Sequence, residues 1–177
     1  MRSSASSMRY FYDTEFIEDG TTIELVSIGI VAEDGREYYA VSTDFDATRA
    51  NEWVRAHVLD KLPRAGHPSW KPSAQIRDEV YAFLTAGRTR PELWAWVGAY
   101  DHVVLAQLWG DMAGLPNDLP RYTRELKQYW QMAGKPRLPK VPDGNHDALV
   151  DARHNLRKFR VCADALPLDR DGAVSKM

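Results

Sequence analysis

Three stretches rich in aromatic and β-branched residues open the chain, and an Asp-Gly pair separates each from the next. They occupy residues 9–16, 23–32 and 37–42. The pairs are Asp19-Gly20 and Asp34-Gly35, and Asp-Gly between two strand-like runs favours a β-hairpin. The sequence therefore predicts a three-stranded antiparallel meander at the start of the fold, against which every later element has to pack.

Helical patterns dominate the rest of the chain, and one short apolar run interrupts them. We predict helices at about 48–59, from an N-cap at Ser73 to Gly87, at 100–112, in a short piece ending near 134, and at 146–165. Residues 93–97 predict a buried strand parallel to the first, and residues 122–126 an edge strand. This order predicts one α/β domain over residues 8–166, with a central mixed sheet flanked by helices. Residues 1–7 and 167–177 are expected to be flexible.

Length and composition exclude several classes of protein. The chain has 177 residues, 44% hydrophobic and 27% charged, which is the balance of one globular domain. No apolar run reaches the roughly 18 residues of a membrane span, and the Ser-rich residues 1–7 lack the apolar core of a secretory signal. The single cysteine, Cys162, excludes an intramolecular disulfide and a zinc site built from several cysteines. We therefore expect a cytoplasmic protein without a membrane partner.

The net charge of −2 conceals a basic segment at residues 121–140. The segment contains one acidic residue, Glu125, and six basic residues: Arg121, Arg124, Lys127, Lys135, Arg137 and Lys140. Cations beside an acidic site suit an enzyme that acts on a polyanion, because they hold phosphates while carboxylates hold metal. An ordinary solvated face, or a surface for a partner subunit, explains the same charges equally well.

Asp13 and Glu15 are the first candidates for chemistry. Side chains two residues apart on a strand point to the same face, so both carboxylates project together. Two acids on one strand face repel each other, and a bound cation can compensate them. Oxygen donors without a nearby His/Cys cluster favour Mg²⁺ or Mn²⁺ over zinc. The alternative is an exposed strand end with solvated acids.

Asp101 comes soon after the apolar run at residues 93–97 and opens a predicted helix. Ligands of α/β proteins collect at the carboxyl ends of strands and at the helix starts that follow them. Aspartate at a helix start is also favoured by capping and by the helix dipole. Taken alone, Asp101 fits a cap as well as a ligand.

His146 and Asp151 lie five residues apart at the start of the last predicted helix. Five residues correspond to about 140° around an ideal helix, so the two side chains cannot share one helical face. We therefore expect His146 to lie on the preceding loop or first turn and to reach a site that Asp151 also faces.

Together, the four acids and the histidine resemble the DEDDh 3′→5′ exonucleases, a branch of the ribonuclease H-like superfamily. The sequence around them is similar as well, at residues 11–16 (FYDTEF), 24–29 (ELVSIG) and 146–152 (HDALVDA). The resemblance covers roughly residues 8–165. It is greatest to the small bacterial enzymes grouped with RNase T and the polyadenylate-specific 3′-exoribonucleases, and less close to oligoribonuclease.

The resemblance implies a ribonuclease H-like fold, a mixed α/β sheet that begins with three antiparallel strands, and two divalent metal ions, Mg²⁺ or alternatively Mn²⁺. Asp13 would bridge both ions, Glu15 and Asp151 would bind the ion that activates water, and Asp101 would serve the second. His146 would take a proton from the attacking water, a role for which histidine is suited. The resemblance further implies release of nucleoside 5′-monophosphates from single-stranded RNA 3′ ends or overhangs, and a homodimer.

Substrate-binding residues are harder to predict. Phe16 follows the acids and is a candidate for stacking on the terminal base, although strand alternation puts it on the opposite face, towards the core. Trp70 lies in a Pro-rich loop and fits either a base platform or a loop anchor. Arg121, Arg124 and Lys127 of the basic segment are candidates for phosphate contacts.

Two other functions use the same residues. A DNA proofreading or repair exonuclease would share every catalytic residue, and only the likeness to the RNA branch favours RNA. A nucleic-acid-binding module on the same fold, without catalysis, is the second alternative. The presence of all four acids and the histidine argues against it, because loss of catalysis would relax the need for acids on one strand face.

Overall fold

A computed structural model describes residues 6–169, which form a six-stranded sheet with helices on both faces. The strands are β1 (Ser7–Glu18), β2 (Ile23–Ala32), β3 (Glu37–Ser42), β4 (Trp70–Lys71), β5 (Arg90–Ala95) and β6 (Arg124–Glu125). Across the sheet their order is β4-β3-β2-β1-β5-β6. β1 is antiparallel to β2 and parallel to β5, and β2 is antiparallel to β3. The predicted meander and mixed α/β sheet are therefore confirmed.

The helices are shorter than the sequence pattern predicted. They are α1 (Glu52–His57), α2 (Ser73–Thr85), α3 (Ala99–Gln107), α4 (Leu126–Met132) and α5 (Ala148–Ala165). The prediction of one helix at 48–59 is wrong because Asp46 and Asn51 each cap a separate segment through their side chains. Ser73 was predicted as an N-cap, but it is the first residue of α2 and its hydroxyl pairs with that of Ser42.

The predicted strand at 93–97 begins and ends earlier than expected. Arg90 and Pro91 already pair with β1, and β5 ends at Ala95. Val97 leaves the sheet with a φ of 53°, which no strand residue adopts. The apolar pattern located the buried strand, but the turn that ends it depends on a contact with β6, described below.

Alternation along β1 separates two cores. Tyr10 and Tyr12 face α2 and α3, where they belong to the larger cluster of buried apolar side chains. Phe11 faces the other way and packs against Phe159 of α5, with 5.0 Å between the ring centroids. The next residue on the face of Phe11 is Asp13. The acidic end of β1 therefore continues the face that α5 covers.

Gly29 allows α5 to approach the sheet closely. It pairs directly with Asp13 across β1 and β2. A methyl group at Gly29 would overlap the backbone of Ala148 and Leu149, at the first turn of α5. The absence of a side chain therefore brings the start of α5 beside Asp13.

The described end of the chain packs against the domain. Leu168 lies against the cluster around Phe159, and the carbonyl of Asp169 accepts a hydrogen bond from Arg9. The predicted domain limits of 8–166 stay a prediction. Of the residues predicted to be flexible, 1–7 and 167–177, the segments 1–5 and 170–177 lie outside the described residues. Between residues 6 and 169, no helix has the length and apolar character needed to cross a membrane.

Candidate active site

The five predicted site residues line one cleft at the carboxyl end of β1. The cleft has a volume of about 430 Å³. Its walls include Asp13, Glu15, Asp101, His146 and Asp151. We call it the acidic cleft. Residues separated by up to 138 positions in the chain are therefore brought together by the central strand, the start of α3 and the start of α5.

Three of these side chains form the tightest group. One ligand atom each from Glu15, His146 and Asp151 lies within 4.8 Å of the other two. This spacing lets a single cation contact all three side chains. Such a group combines two carboxylates with an imidazole, which suits both metal binding and proton transfer.

Backbone geometry aims His146 into the cleft. His146 precedes α5, one of the two positions that the five-residue spacing allowed, and its φ of 67° is left-handed. Its backbone N–H donates to a carboxylate oxygen of Asp151 at 2.8 Å. Its ring packs edge-on against Trp53 at 5.0 Å between centroids. Asp151 therefore orients the histidine that lies beside it.

Asp101 does not cap its own helix through its side chain. Gly98 is the N-cap of α3, and Asp101 lies three residues further on. The Asp101 carboxylate instead accepts hydrogen bonds from the backbone N–H of Thr14 at 2.9 Å and from its hydroxyl at 2.6 Å. Thr14 stands between Asp13 and Glu15, so these bonds hold α3 against the acidic end of β1.

Burial raises the pKa of four carboxyl groups in the cleft, and the charges of neighbouring carboxylates raise it further. Loss of hydration is the largest cause of the raised pKa of Asp13, Glu15, Asp101 and Asp151. The charges of Asp101, Glu15 and Asp151 raise the pKa of Asp13 further. The pKa of Glu15 rises to about 8, by burial first and then by the charges of Asp151 and Asp101. The protein therefore gathers more negative charge here than its own cations compensate.

This donor set fits divalent metal ions. Carboxylate oxygens are the ligands that hard cations such as Mg²⁺ and Mn²⁺ prefer. A cation in the cleft would stabilise the ionised carboxylates and so oppose both the loss of hydration and the repulsion that raise these four pKa values. The residues present therefore satisfy the chemical requirement for divalent metal binding.

The turn that borders the cleft has an unusual backbone conformation. Val97 lines the cleft with 56% of its surface exposed, and a positive φ is rare for a β-branched residue. A carboxylate of Glu125 accepts from the backbone N–H of Val97 at 2.8 Å and of Gly98 at 3.0 Å. Since Gly98 caps α3, Glu125 fixes the start of the helix that carries Asp101. Strain of this kind concentrates at functional sites.

The sequence analysis missed several residues of the cleft and its surroundings. They are Thr14, Trp53, Trp96, Asn155 and Lys158. Asn155 and Lys158 follow Asp151 by four and seven residues, a spacing that places all three on one face of α5. Helical periodicity could therefore have found these two. The approach of Trp53 and Trp96 depends on tertiary packing that no local pattern shows.

The structure separates the predicted substrate-binding residues. Phe16 lines the acidic cleft beside Glu15, at a shift in the register of pairing between β1 and β2, and it also packs against the larger core. Its ring contacts Tyr100 at 5.8 Å between centroids. Trp70 donates to the carbonyl of Pro63 and lies in β4 at the edge of the sheet, as a loop anchor would.

Two arginines of the basic segment make internal contacts. Arg121 donates to the carbonyls of Met112 and Leu115. Arg124 lies 3.6 Å from the Glu92 carboxylate, and Lys127 is exposed on α4. Neither these arginines nor Lys127 lines the acidic cleft. Their phosphate contacts stay a prediction.

The six-stranded mixed sheet with flanking helices has the ribonuclease H-like exonuclease fold. More particularly, the chain belongs to the Rv2179c-like family, since the model of the 3′-5′ exoribonuclease Rv2179c-like domain matches residues 8–163. It is 63% identical over 155 residues to the 3′-5′ exoribonuclease Rv2179c of Mycobacterium tuberculosis (strain ATCC 25618 / H37Rv). That similarity covers 87% of this chain and 92% of the relative.

Two solved structures share the fold. One is the nuclease domain of 3′hExo, a DEDDh family member, bound to rAMP, with a TM-score of 0.60, 12% identity and 98% coverage of both chains. The other is the zinc-bound form of an E. coli ExoI–ssDNA complex, with a TM-score of 0.65 and 12% identity. That match covers 92% of this chain but 41% of the ExoI chain, so this protein spans less than half of that exonuclease.

Proposed function

We propose that this protein is a metal-dependent 3′→5′ exoribonuclease that releases nucleoside 5′-monophosphates from RNA 3′ ends. The observation that carries the proposal is the convergence of four carboxylates and one histidine in the acidic cleft. Family membership supports RNA as the substrate, since the M. tuberculosis relative is named an exoribonuclease. Bound divalent ions would polarise the scissile phosphodiester and lower the pKa of a water molecule.

The protein's own residues divide into three roles. Asp13, Glu15, Asp101 and Asp151 would hold the cations. His146 accepts the proton of the attacking water. The hydrogen bond from its backbone N–H to Asp151 keeps its ring beside the carboxylates of Glu15 and Asp151. Thr14 positions Asp101 through its two hydrogen bonds.

The terminal nucleotide occupies the acidic cleft in this proposal. Phe16 and Trp53 supply aromatic surface in its walls, on which a base can stack irrespective of its identity. Among the described residues, no lysine or arginine lines this cleft. The 3′ end of RNA is a neutral pair of hydroxyl groups, so a cleft without cations suits a terminal nucleotide better than an internal one.

The finer features of the proposal follow from the donor chemistry and from the family. We assign Mg²⁺ as the native ion, with Mn²⁺ as an effective substitute, because oxygen donors dominate the cleft. Single-stranded RNA 3′ ends or overhangs are the proposed substrate, and the cytoplasm is the proposed location. A homodimer, expected from the family resemblance, is the proposed assembly, and analytical ultracentrifugation would measure it.

A gel time course on 5′-labelled single-stranded RNA and DNA of the same sequence tests the proposal. We expect a ladder that shortens from the 3′ end of RNA with Mg²⁺ or Mn²⁺ and no degradation with EDTA. His146→Ala should fold normally and lower the rate about 10²- to 10⁴-fold, the usual contribution of a general base. His67→Ala is the matched control, because His67 is exposed and does not line the cleft.

The other outcomes identify the alternatives. Faster degradation of DNA would assign a DNA exonuclease instead. A folded protein that degrades neither polymer would overturn the catalytic proposal in favour of a nucleic-acid-binding module. An unchanged rate in His146→Ala would remove His146 from the mechanism.

A further inference from the structure

A second cavity joins the acidic cleft at its metal-binding residues. It has a volume of about 420 Å³, and Asp13, His146 and Asp151 line both cavities. We call it the Lys158 lobe, and the residues that line it but not the acidic cleft are Leu138, Pro139, Val141, Asn145, His154, Asn155 and Lys158. Trp96 lies at the junction and borders both cavities.

Lys158 is the charged side chain that distinguishes the lobe. Its Nζ lies 4.2 Å from the centroid of the Trp96 ring and 3.4 Å from Oδ1 of Asn155. None of the ion pairs formed between residues 6 and 169 includes Lys158. The ammonium group therefore stands over an aromatic ring at the wall of a cavity, where an anionic ligand can reach it.

The two cavities differ in charge. Three acids that line the acidic cleft, Glu15, Glu18 and Asp101, do not line the lobe. Lys158 lines the lobe and not the cleft. A polyanion bound across both cavities would therefore place its phosphates preferentially on the side of the lobe.

The two sides of the scissile bond in RNA carry different numbers of phosphates, which indicates which nucleotide each cavity binds. The nucleotide that precedes the scissile bond brings a further phosphodiester, whereas the terminal nucleotide ends in hydroxyl groups. Lys158, a positively charged side chain on one side of the metal-binding carboxylates, therefore indicates the side on which the RNA chain continues towards its 5′ end. The uncharged walls formed by Trp96, Leu138, Pro139 and Val141 offer contact to a ribose or base without reading its identity.

We infer that the Lys158 lobe is the binding subsite for the nucleotide that precedes the scissile phosphodiester, with Lys158 contacting the phosphate on its 5′ side. The inference rests on the proposed exoribonuclease function. Lys158 is a substrate-binding residue in this account. The competing account gives Lys158 a structural role, in which it offsets the negative charges of Asp13 and Asp151.

Two substrates separate these accounts. One is a short oligoribonucleotide, and the other is the p-nitrophenyl ester of a nucleoside 5′-monophosphate, which carries a terminal nucleotide but none before it. Lys158→Met should lower kcat/KM on the oligoribonucleotide about 10- to 100-fold, the range expected for loss of one charge-assisted hydrogen bond. On the ester, kcat/KM should change less than about threefold, and Lys158→Arg should restore most of the loss on RNA.

Arg157→Met is the matched control, because it removes the same charge from an exposed position next to Lys158 on α5. It should leave both substrates unaffected. Equal losses on RNA and ester in Lys158→Met, or no loss on either, would overturn the subsite. Wild-type protein that hydrolyses neither substrate would instead refute the proposed function, on which the subsite depends.

A binding measurement without catalysis provides a second readout. In EDTA, fluorescence anisotropy of a 5′-labelled oligoribonucleotide should show a Kd about tenfold higher for Lys158→Met than for wild type or Arg157→Met. In Lys158→Met, the slope of log affinity against log salt concentration should become shallower by about the contribution of one phosphate contact. Unchanged RNA binding would contradict the subsite.

Discussion

Strand β1 carries charged side chains near both of its ends, buried at the start and partly buried at the far end, and the two ends differ in how these charges are compensated. At the start, Arg9 pairs with Glu92 of β5 at 3.1 Å. The same carboxylate accepts from the indole N–H of Trp94 at 2.6 Å and lies 3.6 Å from Arg124. At the far end, Asp13 and Glu15 face other carboxylates, and their charges repel.

This difference indicates that the Arg9 end of β1 stabilises the fold, whereas the acidic end is suited to binding metal. A buried charge with partners and hydrogen bonds is tolerated in the fold, whereas buried like charges oppose folding. Only a cation from outside the chain can fully compensate the acidic end. The neutralised end therefore holds β1 and β5 together, and the acidic end is free to bind metal.

Replacing one glutamate by glutamine at each end of β1 should have different effects on the free energy of unfolding of the metal-free protein. Glu92→Gln should lower the free energy of unfolding by about 3–5 kcal/mol, because it leaves the buried Arg9 without its carboxylate partner. Glu15→Gln should leave it unchanged or raise it, because it removes one of several repelling charges. Urea denaturation in EDTA measures both. Equal destabilisation by the two variants would contradict the comparison.

The acidic end should also make metal-free stability depend on pH. The pKa of Glu15 is about 8 in the folded protein, above its ordinary value of 4.5, so the folded state binds more protons than the unfolded state between these values. Stability should therefore fall as pH rises from about 4.5 to 8, with a slope approaching 1.4 kcal/mol per pH unit for one proton.

Thermal or urea unfolding across this range, in EDTA, measures the slope. The slope should flatten in Glu15→Gln and in the presence of saturating Mg²⁺. A slope that is the same in wild type and Glu15→Gln would remove Glu15 as its cause.

Local patterns located five of the six strands, whereas β4 falls in a segment interpreted as a loop, and the five predicted residues of the cleft were singled out only when the family resemblance combined them. The Asp-Gly turns and the apolar run located the meander and β5, because both signals depend on neighbouring residues. The two-residue spacing of Asp13 and Glu15 fixed their common face. The five-residue spacing of His146 and Asp151 predicted His146 on the preceding loop or the first turn, and the structure places it on the loop.

The remaining features depend on contacts between distant segments. The turn at Val97 requires Glu125 on another strand, and the position of α5 requires the missing side chain of Gly29. Lys158 follows Asp151 by seven residues, so helical periodicity alone places both on one face of α5. Its position over Trp96 depends on how α5 packs on the sheet. Tertiary packing decides such details, and no single segment encodes them.

Calorimetric titration of Mn²⁺ into metal-free protein tests the central claim most directly. Wild type and Glu92→Gln, measured where both are folded, should bind Mn²⁺ alike, and thermal unfolding at 100 times the Kd should show about 2.7 kcal/mol of added stability. Asp13→Asn should fold but lose most of this binding, because it removes a carboxylate from the acidic end alone. Undiminished Mn²⁺ binding by Asp13→Asn, or none by wild type, would contradict the account.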